Sequence, residues 1–169
     1  VFFGTAAGDS TGYSDTIRLV FGDQFYILVA TEEKGREIAI GAINSASVIY
    51  LGGGTTELLL NLFEKWNLID PLRHALERGT YIVGMSAGAQ ALSAWYIHEA
   101  DGSMELRRGW GLVSYCTLVH ANKDSARRAK ILWENDNRVH ANAFVAIGER
   151  TAWRVSALGG QKIGTGELW

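Results

Sequence analysis

Short apolar runs alternate with segments of helical spacing along most of the chain. Four nearly continuous apolar runs predict buried strands, at Val1–Gly4, Phe25–Ala30, Ser47–Leu51 and Thr80–Met85. Between them, apolar residues recur every three or four positions, as in Tyr13, Ile17, Val20 and Phe21 and again in Leu58, Leu59, Leu62, Phe63 and Trp66. Such alternation predicts a parallel sheet covered by helices on both faces.

Capping residues predict where two of the helices begin and end. Thr31 is positioned to cap a helix that runs to about Asn44. Asp70 and Pro71 suit the N-cap and first position of another helix, and Gly79 suits the residue after its end.

The last third of the chain is richer in predicted strands. Leu112–Val119 is typical of a strand, and Ser125 is expected to open a helix that ends near Asn137. Two further strands, Ala143–Gly148 and Thr151–Ala157, lie close enough in sequence to pair as an antiparallel hairpin. No linker or repeat interrupts residues 1–169, so the sequence predicts a single domain.

Composition narrows the class of protein. The 169 residues are 47% apolar and 20% charged, as in an ordinary globular domain. A net charge of −2 argues against a nucleic-acid partner. Cys116 is the only cysteine, so no internal disulfide is expected, no metal site is indicated, and a reducing, cytoplasmic setting fits.

Neither a membrane span nor a signal peptide is expected, because no apolar run reaches the length of a span and no charged leader precedes the first strand. The chain begins at Val1, inside an apolar run and without an initiator Met. A longer natural protein is therefore expected.

The segment Gly84–Gly88 (GMSAG) matches G-x-S-x-G between the predicted strand Thr80–Met85 and a small-residue helix, Ala87–Ala94. Small residues on either side of Ser86 allow a tight turn that raises its hydroxyl above the end of the strand. The amide of Ala87 is then a natural oxyanion donor. The same small residues could also serve only close packing between a strand and a helix.

A glycine triplet, Gly52–Gly54, ends the preceding predicted strand. Ligands of parallel sheets bind beyond the carboxyl ends of the strands, so Gly53 or Gly54 is expected to supply a second oxyanion amide. A flexible turn or a phosphate nest is the alternative. The spacings of a P-loop and of a dinucleotide fingerprint are both absent, and no cofactor is expected.

Taken together, two segments resemble the peptidase E/cyanophycinase family of serine peptidases: Val48–Leu60 (VIYLGGGTTELLL) and Tyr81–Ala91 (YIVGMSAGAQA). The resemblance extends to Val1–Asp9, Gly109–Val119 and Phe144–Val155. It implies a flavodoxin-like three-layer fold, related to that of the class I glutamine amidotransferases.

The chain departs from this family at three places. Thr55 stands where the family usually has Asn, and Gly4 precedes Thr5 where Pro is common. A strand that the family has ahead of Val1 is missing. Thr55 bears on the substrate pocket more than on the nucleophile.

A serine nucleophile needs a base, and four histidines are candidates: His74, His98, His120 and His140. His120 ends the predicted strand Leu112–Val119, and it matches the position of the catalytic histidine in the resembling family. The third member of the triad stays open. Glu149 resembles the acid of cyanophycinase-like members, and Asp101 resembles the aspartate of peptidase E-like members; Glu149 is favoured.

The resemblance also implies the substrate, a small peptide, most simply a dipeptide with N-terminal aspartate. A substrate carboxylate calls for a cation, and Arg127 and Arg128 are candidates, as are Arg150 and Arg154. A β-aspartyl peptidase of the cyanophycinase type, another esterase or amidase, and a non-catalytic ligand-binding relative are the alternatives. Six tryptophans, including Trp95, Trp110 and Trp133, fit either a core or a homodimer interface.

Overall fold

The computed structural model describes residues 1–22, 27–28, 35–138 and 143–169. By its internal contacts the chain divides into two compact units, Val1–Ala89 and Gln90–Trp169. Within the described ranges, no helix is both long enough and apolar enough to cross a bilayer.

The first unit contains a four-stranded sheet in which every pair is parallel. Its order is β2-β1-β3-β4, with bounds β1 Phe2–Phe3, β2 Ile27–Leu28, β3 Val48–Leu51 and β4 Tyr81–Gly84. Parallel neighbours bring the carboxyl ends of β1, β3 and β4 to one edge of this sheet, where the segments that follow them meet.

Four helices belong to the first unit: α1 Thr11–Phe21, α2 Gly35–Ser45, α3 Thr56–Lys65 and α4 Ile69–Glu77. Helices α2, α3 and α4 each bury apolar residues on one side, whereas α1 buries Ile17. In α3 the fully buried side chains are Leu59 and Phe63, and Phe63 lies edge-on to Phe3 of β1. The helices predicted from this spacing are confirmed, but three residues of the predicted apolar faces are exposed: Val20, Phe21 and Leu58.

The start of α4 corrects the capping prediction. The helix begins at Ile69, with Leu68 as its N-cap, so Asp70 lies inside the first turn. There its carboxylate accepts a hydrogen bond from Arg73 at 2.8 Å, one turn further along. Gly79 follows the helix with φ 89°, as predicted for a glycine after a helix end. Thr31, and all but residues 27–28 of the predicted strand Phe25–Ala30, lie outside the described residues.

The second unit contains another four-stranded sheet, ordered β6-β5-β7-β8. The bounds of its strands are β5 Ser93–Ala100, β6 Ser103–Arg108, β7 Val113–Leu118 and β8 Ala143–Ala146. Strands β5, β7 and β8 are parallel, and β6 is antiparallel to β5. Helix α5 (Ala87–Leu92) leads into this unit from the first.

A long helix, α6 (Lys123–Asn135), packs on this second sheet. Its N-cap is Asn122, whose side chain accepts from the amides of Asp124 and Ser125. The backbone amide of Asn122 in turn donates to Ser125 Oγ at 2.9 Å, which completes a capping box. Ser125 is therefore the third residue of the helix rather than its cap.

Strands β5 and β6 form a hairpin that the sequence reading did not predict. Their two-residue turn is Asp101-Gly102, with φ 50° and 76°. Positive φ at both positions is what a type I′ turn requires, and Asp-Gly is one of its preferred pairs. The Asp-Gly turn signal was present in the sequence, but β5 follows directly on the predicted small-residue helix and was not recognised as a strand.

The predicted hairpin near the C-terminus exists, with a different partner strand. Strand β9 (Thr151–Ser156) pairs antiparallel with β10 (Gly159–Gly164), whereas β8 pairs with β7. Beyond β10 the chain returns alongside β8, where Ile147 bridges to Leu168. The α/β class, with mostly parallel strands, helices on both sides and a C-terminal hairpin, is confirmed.

Candidate active site

Ser86 lies on a sharp bend between β4 and α5, with a left-handed φ of 50°. Serine rarely adopts this conformation, and such backbone outliers concentrate at functional sites. The flanking glycines explain how the chain turns there. A Cβ on Gly84 would lie 2.5 Å from the carbonyl carbon of Gly88, and one on Gly88 would clash with the carbonyl oxygen of Leu51. Only glycine fits two positions before and two positions after Ser86.

The glycine triplet meets Ser86 within the first unit. A Cβ built on Gly53 would lie 3.3 Å from the Cβ of Ser86, so the backbone of Gly53 faces the bend directly. Gly52 donates its amide to the carbonyl oxygen of Phe3 at 2.9 Å. Gly54 has φ 135°, and a Cβ there would clash with the carbonyl oxygen of Ala6. The triplet is thus a fixed backbone surface beside Ser86, rather than a flexible turn.

This packing predicts a stability difference between two glycines. We expect Gly54→Ala to lower the free energy of unfolding by about 1–3 kcal/mol, because the new methyl group has no room. Gly41→Ala is the matched control. Gly41 lies in helix α2 with nothing within 4 Å of its virtual Cβ, so alanine there should stabilise by about 0.5–1 kcal/mol. Urea titrations of both variants measure the difference; a neutral Gly54→Ala would contradict the packing argument.

The backbone amide of Gly53 donates to Tyr13 Oη at 3.1 Å. Ala87, the first residue of α5, is fully buried. The first amides of a helix have no acceptor within the helix, which leaves the Ala87 amide suited to a bound oxygen. The sequence reading missed Tyr13, because helical spacing marked it only as a core residue of α1.

His120 follows β7 in the second unit, with φ 53°. Its Nδ1 lies 2.7 Å from Oε1 of Glu149. A carboxylate is an acceptor, so Nδ1 carries the proton in this hydrogen bond and the neutral ring has its lone pair on Nε2. The structure therefore brings two of the predicted site residues into contact, although 29 positions separate them.

Contacts to neighbouring residues fix the main chain around Glu149. This residue follows β8, and its carbonyl oxygen accepts from Thr151 Oγ1 at 3.3 Å. A Cβ on Gly166 would clash with that same carbonyl oxygen. Gly148 donates its amide to Glu167 at 3.1 Å. The C-terminal residues thus fix the main chain on either side of the carboxylate.

Asp101, the alternative acid, lies in the turn between β5 and β6. The backbone conformation there accounts for an aspartate without any catalytic role, since aspartate is favoured in a type I′ turn. The carboxylate that contacts His120 is that of Glu149.

The predicted cationic residues have partners within the protein. Arg127 pairs with Asp124 at 3.1 Å, and both side chains are largely exposed. Arg128 donates to the carbonyl oxygen of Gly102 at 2.9 Å. Thr55 is exposed at the N-cap of α3, and its amide donates to Ala6.

The remaining candidates have ordinary surroundings. His74 is exposed on α4, His98 lies in β5 rather than after a helix, and His140 lies outside the described residues. Burial raises the pKa of the Cys116 thiol to about 12, which confirms it as a core residue without nucleophilic character. Trp95 is buried under the guanidinium of Arg108.

Comparisons with known proteins identify the family of this chain. The family model described as Peptidase family S51 matches residues 1–161. The chain is 28% identical over 127 residues to the uncharacterized peptidase YgaJ of Bacillus subtilis (strain 168), which covers 73% of this chain and 55% of that protein. It is 33% identical over 79 residues to Peptidase E of Nostoc sp. (strain PCC 7120 / SAG 25.82 / UTEX 2576), covering 46% and 31%. The chain therefore spans only about half, or less, of the length of these curated relatives.

Two solved structures share the fold. A candidate peptidase E protein from Listeria monocytogenes EGD-e superposes with a TM-score of 0.69 at 17% identity, covering 98% of this chain and 85% of that one. A peptidase from an acI-B1 Actinobacterium superposes with a TM-score of 0.62 at 20% identity, covering 99% and 74%. At these identities the similarity establishes the fold alone.

Proposed function

The chain belongs to peptidase family S51, and from that premise we propose that it is a serine peptidase with Ser86 as nucleophile, His120 as base and Glu149 as the orienting acid. The observation that carries the proposal is the backbone at Ser86. A serine with φ 50°, flanked by two glycines that tolerate no side chain, is a costly arrangement for packing alone. It is the geometry that presents a hydroxyl at a nucleophile elbow.

The His120–Glu149 contact supports the choice of base and acid. With Nδ1–H held by the carboxylate, Nε2 is the atom that can accept a proton from a serine hydroxyl. The negative charge of Glu149 stabilises the imidazolium that forms when the proton arrives. Asp101 remains the alternative acid.

The reaction then follows the steps of acyl transfer. Ser86 Oγ attacks the scissile carbonyl carbon while His120 takes the hydroxyl proton, and the amides of Ala87 and of Gly53 or Gly54 stabilise the oxyanion. The tetrahedral intermediate expels the amine, which leaves with the proton from His120. A water molecule, deprotonated by His120, cleaves the acyl-enzyme and regenerates Ser86.

The proposed substrate is a small peptide with N-terminal aspartate. The name Peptidase E, carried by the Nostoc relative, supports this choice, as does the resemblance of the Ser86 and glycine-triplet segments to that family. A substrate carboxylate needs a cation, and we choose Arg127 over Arg128 because of its partner. Its present partner, Asp124, is an exposed surface carboxylate, and such pairs contribute little. Thr55, exposed next to Gly54, would line the pocket.

A substrate panel tests this proposal. We expect Asp-Leu to be hydrolysed with a kcat/KM at least ~10²-fold above that of Asn-Leu, which differs only in the charge of the first side chain. Preference for β-Asp-Arg would instead assign a cyanophycinase-like activity, and turnover of simple esters alone would assign an esterase. Failure of Ser86 to react with a fluorophosphonate probe would favour a non-catalytic ligand-binding relative.

A further inference from the structure

Tyr13 holds a hydroxyl against the glycine triplet. Its Oη accepts the hydrogen bond from the Gly53 amide at 3.1 Å. The ring is fixed on two sides. It lies edge-on to Phe2, with ring centroids 5.2 Å apart, and one of its edge carbons lies 2.9 Å from the position of a Cβ on Gly52. The phenol oxygen therefore sits at the Gly53 amide because the ring has little freedom to lie elsewhere.

The same oxygen lies beside the residue that precedes the nucleophile. Tyr13 Oη is 3.7 Å from Met85 Sδ, and Tyr50 Oη is 3.4 Å from the same sulfur. Burial and, secondarily, the neighbouring Tyr13 raise the pKa of Tyr50, so this phenol stays protonated at neutral pH. The hydroxyls of Tyr13 and Tyr50 thus both contact the thioether of Met85, next to Ser86. Of these two hydroxyls, that of Tyr13 accepts the hydrogen bond from the Gly53 amide.

An amide N–H carries one proton and directs it to one acceptor region. A substrate oxygen bonded to the Gly53 amide would lie about 2.9 Å from that nitrogen, where Tyr13 Oη now lies. Two oxygen atoms cannot occupy that position together.

From this juxtaposition we propose that Tyr13 occludes the oxyanion hole: its hydroxyl occupies the oxyanion position at the Gly53 amide in the resting protein, and the carbonyl oxygen of the scissile peptide must displace it. This inference rests on the proposed function. It also selects Gly53, rather than Gly54, as the amide that stabilises the oxyanion.

The displacement predicts the direction in which Tyr13→Phe changes the rate of hydrolysis. Removing the hydroxyl leaves the ring in place and removes the competitor, so kcat/KM for Asp-Leu should rise by about 2- to 10-fold, the range of one neutral hydrogen bond. The affinity for a peptide aldehyde, whose adduct with Ser86 places an oxyanion at the same amide, should rise by the same factor. The rate at which a fluorophosphonate labels Ser86 should increase as well.

Tyr50→Phe is the matched control. Its hydroxyl also contacts Met85 Sδ, so the variant removes a contact to the same sulfur and leaves the acceptor of the Gly53 amide unchanged. We expect its rates to stay within about twofold of the wild type. An equal rise in both variants would mean that Met85, and not the amide, is responsible, and would overturn the inference. Urea titrations of both variants verify that the fold is retained.

The remaining outcomes distinguish a failure of this inference from a failure of the proposed serine peptidase function. Wild-type labelling at Ser86, absent in Ser86→Ala and located by mass spectrometry, establishes the nucleophile independently of Tyr13. If Ser86 is labelled, an unchanged rate in Tyr13→Phe would show that the Gly53 amide does not stabilise the oxyanion. A fall of about 10-fold or more would show that the phenol donates to the oxyanion. Absence of wild-type labelling would overturn the proposed function and this inference together.

Discussion

Replacing Ser86 by alanine is expected to lower kcat for Asp-Leu on the order of 10⁵- to 10⁶-fold, leaving only the turnover that binding and oxyanion stabilisation provide. The loss follows because the segment Gly84–Gly88 contains no other hydroxyl or thiol. Cys116 is buried in β7, and burial keeps its pKa near 12. Steady-state kinetics measure the effect, and KM should change little, since the removed oxygen acts mainly in the transition state.

The variant should also fold. Ser86 already adopts φ 50°, and alanine at this position experiences nearly the same backbone cost, so the urea midpoint should shift only slightly. Ser47→Ala is a suitable control, because Ser47 is exposed just before β3, away from the carboxyl end of that strand. If Ser86→Ala retained activity comparable to that of the control, the serine mechanism would be wrong.

Exchanging the carboxylate of Glu149 for an amide is expected to have the second largest effect. Glu149→Gln keeps the size of the side chain but removes the charge that holds the Nδ1 proton of His120. The amide can turn its NH₂ toward Nδ1 and favour the other tautomer, which leaves Nε2 protonated and unable to act as base. We expect kcat to fall by about 10²- to 10⁴-fold, with KM nearly constant.

Asp101→Asn is the matched comparison for this experiment. Asparagine suits a type I′ turn as well as aspartate does, so the hairpin of β5 and β6 should be preserved. If Glu149 is the orienting acid, Asp101→Asn should stay within a few-fold of the wild type. The reverse pattern, a large loss in Asp101→Asn and a small one in Glu149→Gln, would transfer the role to Asp101.

Local patterns were enough to predict several elements near the site. β3 and β4 appear within the apolar runs read from the sequence, and α3 buries Leu59 and Phe63 of the apolar stripe that its spacing indicated. The bend at Ser86 was predicted from five residues, because G-x-S-x-G between a strand and a helix is a pattern of consecutive residues. The space at Gly84 is limited within the bend by Gly88, whereas the space at Gly88 is limited by Leu51 of the neighbouring strand β3.

Predictions that depended on boundaries or partners were less accurate. Asn122, not Ser125, caps α6, because a capping box contains two polar residues and the sequence alone did not show which one is outside the helix. β9 pairs with β10 rather than with β8. Proximity in sequence suggested the wrong partner, since β8 pairs parallel with β7 inside the second sheet.

By itself, the sequence determined the α/β class, the glycine-lined bend that carries Ser86 and the glycine triplet, because each has a recognisable pattern of neighbouring residues in the chain. Only the tertiary structure decided that Glu149 contacts His120 and that Tyr13 accepts the hydrogen bond of the Gly53 amide. Both are contacts between residues far apart in the chain. Their formation depends on strand order and on the direction in which a helix places its side chains, and no short sequence pattern encodes either.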